Sequence, residues 1–103
     1  MTFKCFGISG LFSEGHIPYI DERIPNYHPD LKTMATKALE ILQNIGTQNG
    51  FFLMVEGARI DMGHHENWAS RALHETLEFD DTIEEIMRKV NLEETLIIGQ
   101  VNH

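Results

Sequence analysis

The first clear pattern of apolar and polar positions along the chain is a helical repeat over residues 30 to 45. Apolar side chains recur there at intervals of three and four residues, which places them on one face of an α-helix. Asp30 can cap the first turn by accepting a hydrogen bond from a free backbone N–H, and Gly46 can end the helix in a left-handed turn. The face predicted to enter the core consists of Leu31, Met34, Ala35, Ala38, Leu39, Leu42 and Ile45.

A second and longer helical repeat covers residues 67 to 90. Asn67 is the candidate N-terminal cap, and Arg88 and Lys89 suit the negative C-terminal end of the helix dipole. The pattern predicts an exposed face that consists of Glu75, Glu78, Asp80, Asp81, Glu84 and Glu85. The predicted buried face consists of Trp68, Ala69, Ala72, Leu73, Thr76, Leu77, Ile83, Ile86, Met87 and Val90.

Two apolar runs, residues 51–55 and 95–99, lack the strict alternation of apolar and polar positions that marks a half-exposed strand. Short runs rich in branched and aromatic residues are typical of strands buried on both faces of a parallel sheet. With the helix between them, the two runs predict a right-handed βαβ unit. A weaker strand is predicted near residues 8–12, and a loop over residues 13–29, where glycine and proline recur. The sequence therefore predicts an α/β fold.

The composition is that of one small globular domain. The chain has 103 residues, of which 42% are apolar, and this length allows one domain at most. The net charge of −8 argues against nucleic acid or an anionic membrane surface as a partner. The single cysteine excludes an internal disulfide, and no apolar run approaches the roughly 18 residues that a membrane-spanning helix needs.

A candidate metal site follows the first apolar run, at the edge of a predicted strand where open α/β sheets bind ligands. Asp61 and His65 are four residues apart and offer one oxygen and one nitrogen, a combination that suits zinc. Glu56 offers the hard oxygen that suits magnesium. A solvated acidic loop that carries two surface histidines, His64 and His65, is the alternative interpretation. The spacing alone leaves both open.

The same residues resemble the alkaline phosphatase family. Residues 56–61 read EGARID and residues 63–65 read GHH, which is similar to the family's usual EGGRIDHGHH. The helix that follows carries ALHET at residues 72–76 and FDD at residues 79–81, as the family does. Upstream segments that also look like the family are Gly10-Leu11-Phe12, Pro29-Asp30-Leu31 and Asn49-Gly50-Phe51-Phe52. The resemblance covers nearly the whole chain.

The resemblance implies a fold and a set of metal ligands. Residues 1–103 would form part of a catalytic domain, a three-layer α/β/α sandwich whose mostly parallel sheet is incomplete. His64 matches a family residue that is not a ligand. Asn102 stands where the family has a zinc-binding aspartate, and its neutral amide oxygen is a weaker zinc ligand than a carboxylate. The implied ligands are Glu56 for magnesium, Asp61 and His65 for one zinc ion, and His103 for the second zinc ion.

The resemblance also implies an activity, the zinc- and magnesium-dependent hydrolysis of phosphate monoesters by the full-length enzyme. In the family a serine nucleophile is phosphorylated, and water on zinc then cleaves that intermediate. The serine and several further metal ligands have no match among these 103 residues. We therefore expect the isolated chain to be an inactive fragment with residual divalent-metal binding. Family members are homodimers and are usually secreted or membrane-anchored, but this chain shows no targeting signal from which to predict its location.

Overall fold

The computed structural model describes residues 8–45 and 48–101. The regular secondary structure of these residues consists mainly of three α-helices. The first and the second helix both pack against the third. No helix within these described ranges has the length and apolar composition needed to cross a bilayer. The helices are α1 (Leu31–Ile45), α2 (Ala58–His65) and α3 (Ala69–Lys89), preceded by one 3-10 turn at Ile20–Glu22.

The predicted α/β fold with its βαβ unit is wrong, because the described residues contain helices and no strand. Residues 51–55 and 95–99 do not pair with each other, and residues 8–12 form no strand either. The side chain of Phe52, predicted to be buried, is 86% exposed. An apolar run becomes a strand only when a second backbone lies beside it to complete its hydrogen bonds. The three-layer sandwich implied by the resemblance is therefore absent from the described part of the chain.

Helix α1 begins where its sequence predicts. The Oδ1 atom of Asp30 accepts a hydrogen bond from the backbone N–H of Thr33 at 2.7 Å, so the predicted cap is confirmed. Burial of the Asp30 carboxyl works against ionisation, but its hydrogen bonds with Thr33 and the positive charges of Lys32 and Arg23 together lower its pKa below the ordinary value. Ala35 and Leu39 are the buried members of the predicted stripe. The predicted stop at Gly46 lies outside the described residues.

Helix α3 has nearly the predicted length, but only part of its predicted buried face is buried. Ala72, Glu75 and Thr82 are its buried residues, whereas Leu73 and Leu77 are mostly exposed. The buried hydroxyl of Thr82 donates to the backbone carbonyl of Glu78 within the helix at 2.7 Å, which satisfies its hydrogen bonding. The prediction that Glu75 and Glu78 face solvent is wrong, because an arginine from the loop before α1 binds both carboxylates.

That arginine, Arg23, fixes the loop before α1 onto α3. Its Nη1 atom lies 2.5 Å from Oε1 of Glu78, and its Nη2 atom lies 3.5 Å from Oε2 of Glu75. The backbone N–H groups of Ile20 and Leu31 donate to Glu75 and Glu78, each at 2.9 Å. Burial raises the pKa of Glu75. Burial alone would lower the pKa of Arg23, but the two carboxylates raise it. Each of these buried charges therefore has a partner.

Helix α2 occupies the stretch predicted to be a loop, and it ends in a hydrogen-bonded turn. Asn67 adopts a positive φ of 59°, a conformation that asparagine tolerates better than most residues. Its N–H donates to the carbonyl of His64 at 3.1 Å, and the N–H of Trp68 donates to the carbonyl of Gly63 at 2.8 Å. Asn67 therefore terminates α2. The prediction that Asn67 caps α3 is wrong, because the residue at the α3 N-cap position is Trp68.

Candidate metal centre

Asp61 and His65 lie on the exposed side of α2. Their spacing of four residues places them one helical turn apart on the same face. The Oδ2 atom of Asp61 is 3.3 Å from the Nε2 atom of His65. The side chains are 51% and 75% exposed, so an ion could reach both from solvent. The helix thus brings together the two residues that the sequence predicts to bind zinc.

The distance between these two atoms fits a shared zinc ion. Bonds of about 2.0–2.1 Å and a tetrahedral angle place two ligand atoms about 3.3–3.4 Å apart. The Asp61–His65 pair spans 3.3 Å without any change of backbone or side chain. The same two side chains without a metal make an ordinary contact between helix residues four apart, which is worth about 0.2–0.5 kcal/mol. The geometry is thus suitable for metal binding but is not specific to it.

The other predicted ligands do not complete this pair within the described structure. Glu56 is exposed and lies two residues before α2. No group of three or more histidine, cysteine, aspartate or glutamate side chains among the described residues is arranged to hold a metal ion. His103 and Asn102 lie outside the described residues. The predictions for Glu56 and His103 therefore stay predictions.

Gly63 serves the packing of α2 on α3. Gly63 is a buried residue in the middle of α2. A methyl group at Gly63 would lie 3.1 Å from the backbone nitrogen of Ala72 and 3.2 Å from its Cα atom. The missing side chain of Gly63 therefore lets α2 lie directly on the backbone of α3.

An aromatic cluster centred on the buried Tyr19 lies on the side of α2 that carries Arg59. Tyr19 is only 4% exposed, and its ring meets the edge of the Trp68 ring with a centroid separation of 5.9 Å. The guanidinium carbons of Arg59 and Arg71 lie 4.4 Å and 4.7 Å from the centre of the Tyr19 ring. The Tyr19 hydroxyl donates to Oε2 of Glu66 at 3.0 Å. Burial raises the pKa of Tyr19, and the nearby carboxylate of Glu66 adds to this effect.

The two arginines of this cluster have different partners. The Nε atom of Arg59, on α2, donates to the backbone carbonyl of Ile17 at 2.9 Å. The Nε atom of Arg71, on α3, is 3.2 Å from Oδ2 of Asp21, and the Arg71 side chain also pairs with Glu22. The sequence gives no local signal for this cluster, because Tyr19 is 40 residues or more from each of its partners on the helices.

A cleft of about 470 Å³ lies elsewhere, between the loop before α1 and helix α3. Its polar lining mixes both signs of charge and includes His28, Lys32, His74 and Asp81. Neither Asp61 nor His65 lines it. The candidate metal pair is therefore on an open surface and not in this cleft.

Comparison with known proteins identifies the family. The model of the family described as alkaline phosphatase matches residues 5–103. The chain belongs to the alkaline phosphatase family. The family predicted from the EGARID and GHH motifs is thereby confirmed. No solved structure matches the chain.

Curated relatives show the same similarity. The chain is 44% identical over 96 residues to alkaline phosphatase 4 of Drosophila melanogaster, a match that covers 93% of this chain and 16% of that protein. It is 39% identical over 106 residues to the tissue-nonspecific alkaline phosphatase isozyme of Felis catus, with 100% and 20% covered. It is 40% identical over 94 residues to the human tissue-nonspecific isozyme, with 91% and 18% covered. The chain thus spans a fifth or less of the length of these three relatives.

Proposed function

We propose that this chain supplies metal ligands to a phosphatase that hydrolyses phosphate monoesters, with Asp61 and His65 binding zinc. The observation that carries the proposal is the 3.3 Å separation of Oδ2 and Nε2 on the exposed face of α2, in a chain whose relatives are named alkaline phosphatases. Two surface residues paired by chance would not also occupy the motif by which the family is recognised.

The roles of the residues follow from their chemistry. Asp61 would contribute a negative charge and an oxygen, and neutral His65 would contribute its Nε2 lone pair. Glu56 would contribute a hard oxygen for magnesium. A zinc ion bound in this way supplies Lewis acidity toward a phosphoryl oxygen and lowers the pKa of bound water.

For the 103 residues taken alone we propose divalent-metal binding without hydrolysis. The described residues bring together two zinc ligands and not three, whereas catalytic zinc sites generally use three protein ligands and an open position. No residue of this chain is matched to the family's serine nucleophile, and covalent catalysis depends on an activated nucleophile. Phosphate monoesters as substrates, and dimerisation, are proposals for the whole protein.

Zinc titration by calorimetry tests the metal proposal. We expect the double variant Asp61→Ala/His65→Ala to bind zinc at least tenfold more weakly than the wild-type chain, since it removes both ligands, a change of about 1.4 kcal/mol or more. The matched control, His74→Ala/Asp80→Ala, removes the same two residue types from the exposed surface of α3 and should leave zinc affinity unchanged. Equal loss of affinity in both variants would show that zinc binds nonspecifically to acidic and imidazole groups.

A phosphatase assay tests the absence of hydrolysis. The purified chain with zinc and magnesium should not hydrolyse a chromogenic aryl phosphate above the rate of the metals alone. Zinc-dependent turnover that disappears in Asp61→Ala would refute the proposal that the isolated chain only binds metal.

A further inference from the structure

Helix α2 is held from the side opposite to its candidate ligands. At about 100° per residue, Arg59 and Glu66 lie within roughly 20° of each other around the helix axis, although they are seven residues apart. Asp61 and His65 lie roughly 120–160° away from Arg59 on the same axis. One side of the helix therefore faces solvent with the metal pair, while the other side faces the segment around Tyr19.

The segment around Tyr19 contacts α2 at both ends. Near the start of the helix, Arg59 donates to the carbonyl of Ile17 at 2.9 Å and places its guanidinium 4.4 Å from the Tyr19 ring centre. Just past the end of the helix, Glu66 accepts the Tyr19 hydroxyl at 3.0 Å. The two contact points are about 10 Å apart along the axis, since seven residues rise about 1.5 Å each. Asp61 and His65 lie between them.

Helix α2 also packs against α3 on another side, where Gly63 lies against the backbone of Ala72. An isolated helix of eight residues is only marginally stable in water, so its order depends on tertiary contacts of this kind. The contacts of Arg59 and Glu66 with the segment around Tyr19 add restraints near both ends of the helix.

We propose that Ile17, Tyr19, Arg59 and Glu66, the Tyr19 bracket, position helix α2 so that Asp61 and His65 are held ready for a metal ion. This inference rests on the proposed function. The bracket residues touch no metal; they act by holding the helix that carries the ligands. Holding the helix in place before the metal binds reduces the entropy lost on binding, which strengthens affinity without adding a ligand.

Removing the hydroxyl of Tyr19 breaks one hydrogen bond of the Tyr19 bracket. Tyr19→Phe removes the hydrogen bond to Glu66 but keeps the ring that packs against Arg59 and Trp68. Tyr27→Phe is the matched control, because Tyr27 is 69% exposed and lies outside the bracket. A second pair of variants approaches the same bond from its other end: Glu66→Ala removes the acceptor, while Glu66→Gln keeps an oxygen that can accept from the hydroxyl.

The first measurement needs no metal. Amide hydrogen exchange of residues 62–66, followed by NMR in metal-free buffer, reports how often α2 opens. We expect about tenfold faster exchange in Tyr19→Phe and Glu66→Ala, because a hydrogen bond to a carboxylate is lost. Tyr27→Phe should exchange as the wild type does, and Glu66→Gln should be close to it. Unchanged exchange in Tyr19→Phe and Glu66→Ala would overturn the bracket.

The second measurement is zinc affinity by calorimetry on the same 103-residue chains. We expect about tenfold weaker binding in Tyr19→Phe, comparable to the loss of a group that orients a metal ligand, and near wild-type binding in Glu66→Gln. Faster exchange with unchanged zinc affinity would overturn the positioning role. If the wild-type chain binds zinc no better than Asp61→Ala/His65→Ala, the proposed function fails, and so does the positioning of ligands. The exchange data would then show separately whether the bracket holds α2.

Discussion

The contact between α2 and α3 decides whether replacing Gly63 stabilises or destabilises the protein. Gly63→Ala adds one methyl group at a position in the middle of a helix. In an exposed helix this change would stabilise the protein by about 1 kcal/mol, because alanine favours the helix over glycine by that amount. The local preference and the packing at this site therefore predict opposite outcomes.

Packing against α3 determines that Gly63→Ala lowers the free energy of unfolding. The added carbon would lie 3.1 Å, 3.2 Å and 3.3 Å from the nitrogen, Cα and Cβ atoms of Ala72, closer than an ordinary van der Waals contact of about 3.5–4.0 Å. These atoms belong mainly to the backbone of α3 and cannot rotate away as a flexible side chain could. Overpacking of this kind costs about 1–3 kcal/mol. After the gain in helix preference is subtracted, we expect Gly63→Ala to destabilise the chain by about 1 kcal/mol.

Urea unfolding followed by far-UV circular dichroism measures the effect. With a slope of about 1–2 kcal/mol/M, a loss of 1 kcal/mol lowers the midpoint by about 0.5–1 M. Gly15→Ala is the control, because a methyl group at Gly15 meets nothing within 4 Å. It should leave the midpoint unchanged or raise it, since alanine restricts the unfolded chain by about 0.4–1 kcal/mol relative to glycine. A midpoint that rises equally in both variants would refute the close approach of α2 to α3.

Two further predictions concern the charged groups that hold the loop before α1. Arg23→Met should destabilise the chain by about 3–5 kcal/mol in the same urea assay, because it leaves two buried carboxylates without their cation; Arg88→Met, at an exposed position, should change stability by no more than about 0.5 kcal/mol. Asp30→Ala should cost about 1 kcal/mol at neutral pH through the lost cap on Thr33. Since folding lowers the pKa of Asp30, its contribution is complete above its ordinary pKa and is lost as the pH falls through the lower, folded value. The stability difference between Asp30→Ala and the wild type should therefore disappear in acid, and a difference that persists there would contradict the charged cap.

The parts of the fold that were predictable from the sequence depend on neighbours along the chain. The repeat over residues 30 to 45 predicted α1 to within one residue at its start, and Asp30 caps it as expected. The long repeat predicted α3 to within two residues at each end. The EGARID and GHH motifs predicted the family. The pairing of Asp61 with His65 was also accessible, because a spacing of four residues places both on one face once the segment is helical.

The failed predictions concern groups whose partners are distant in sequence. Glu75 was expected to face solvent, since nothing near it in the chain suggested a cation; Arg23, 52 residues earlier, is its partner. The run at residues 51–55 has strand-like composition, but composition supplies no second backbone to pair with. Asn67 has a residue type that suits two roles, a cap for α3 or a left-handed stop for α2, and its backbone conformation selected the second.

The sequence by itself determined the two long helices, the cap of α1 and the family, because each is encoded in residue spacings of a few positions or in a contiguous motif. Only the tertiary structure decided which face of α3 is buried and which segment contacts the side of α2 opposite Asp61 and His65. Charges such as Glu75 and rings such as Tyr19 can be buried only where a distant segment supplies a matching partner. Folding alone brings such partners together.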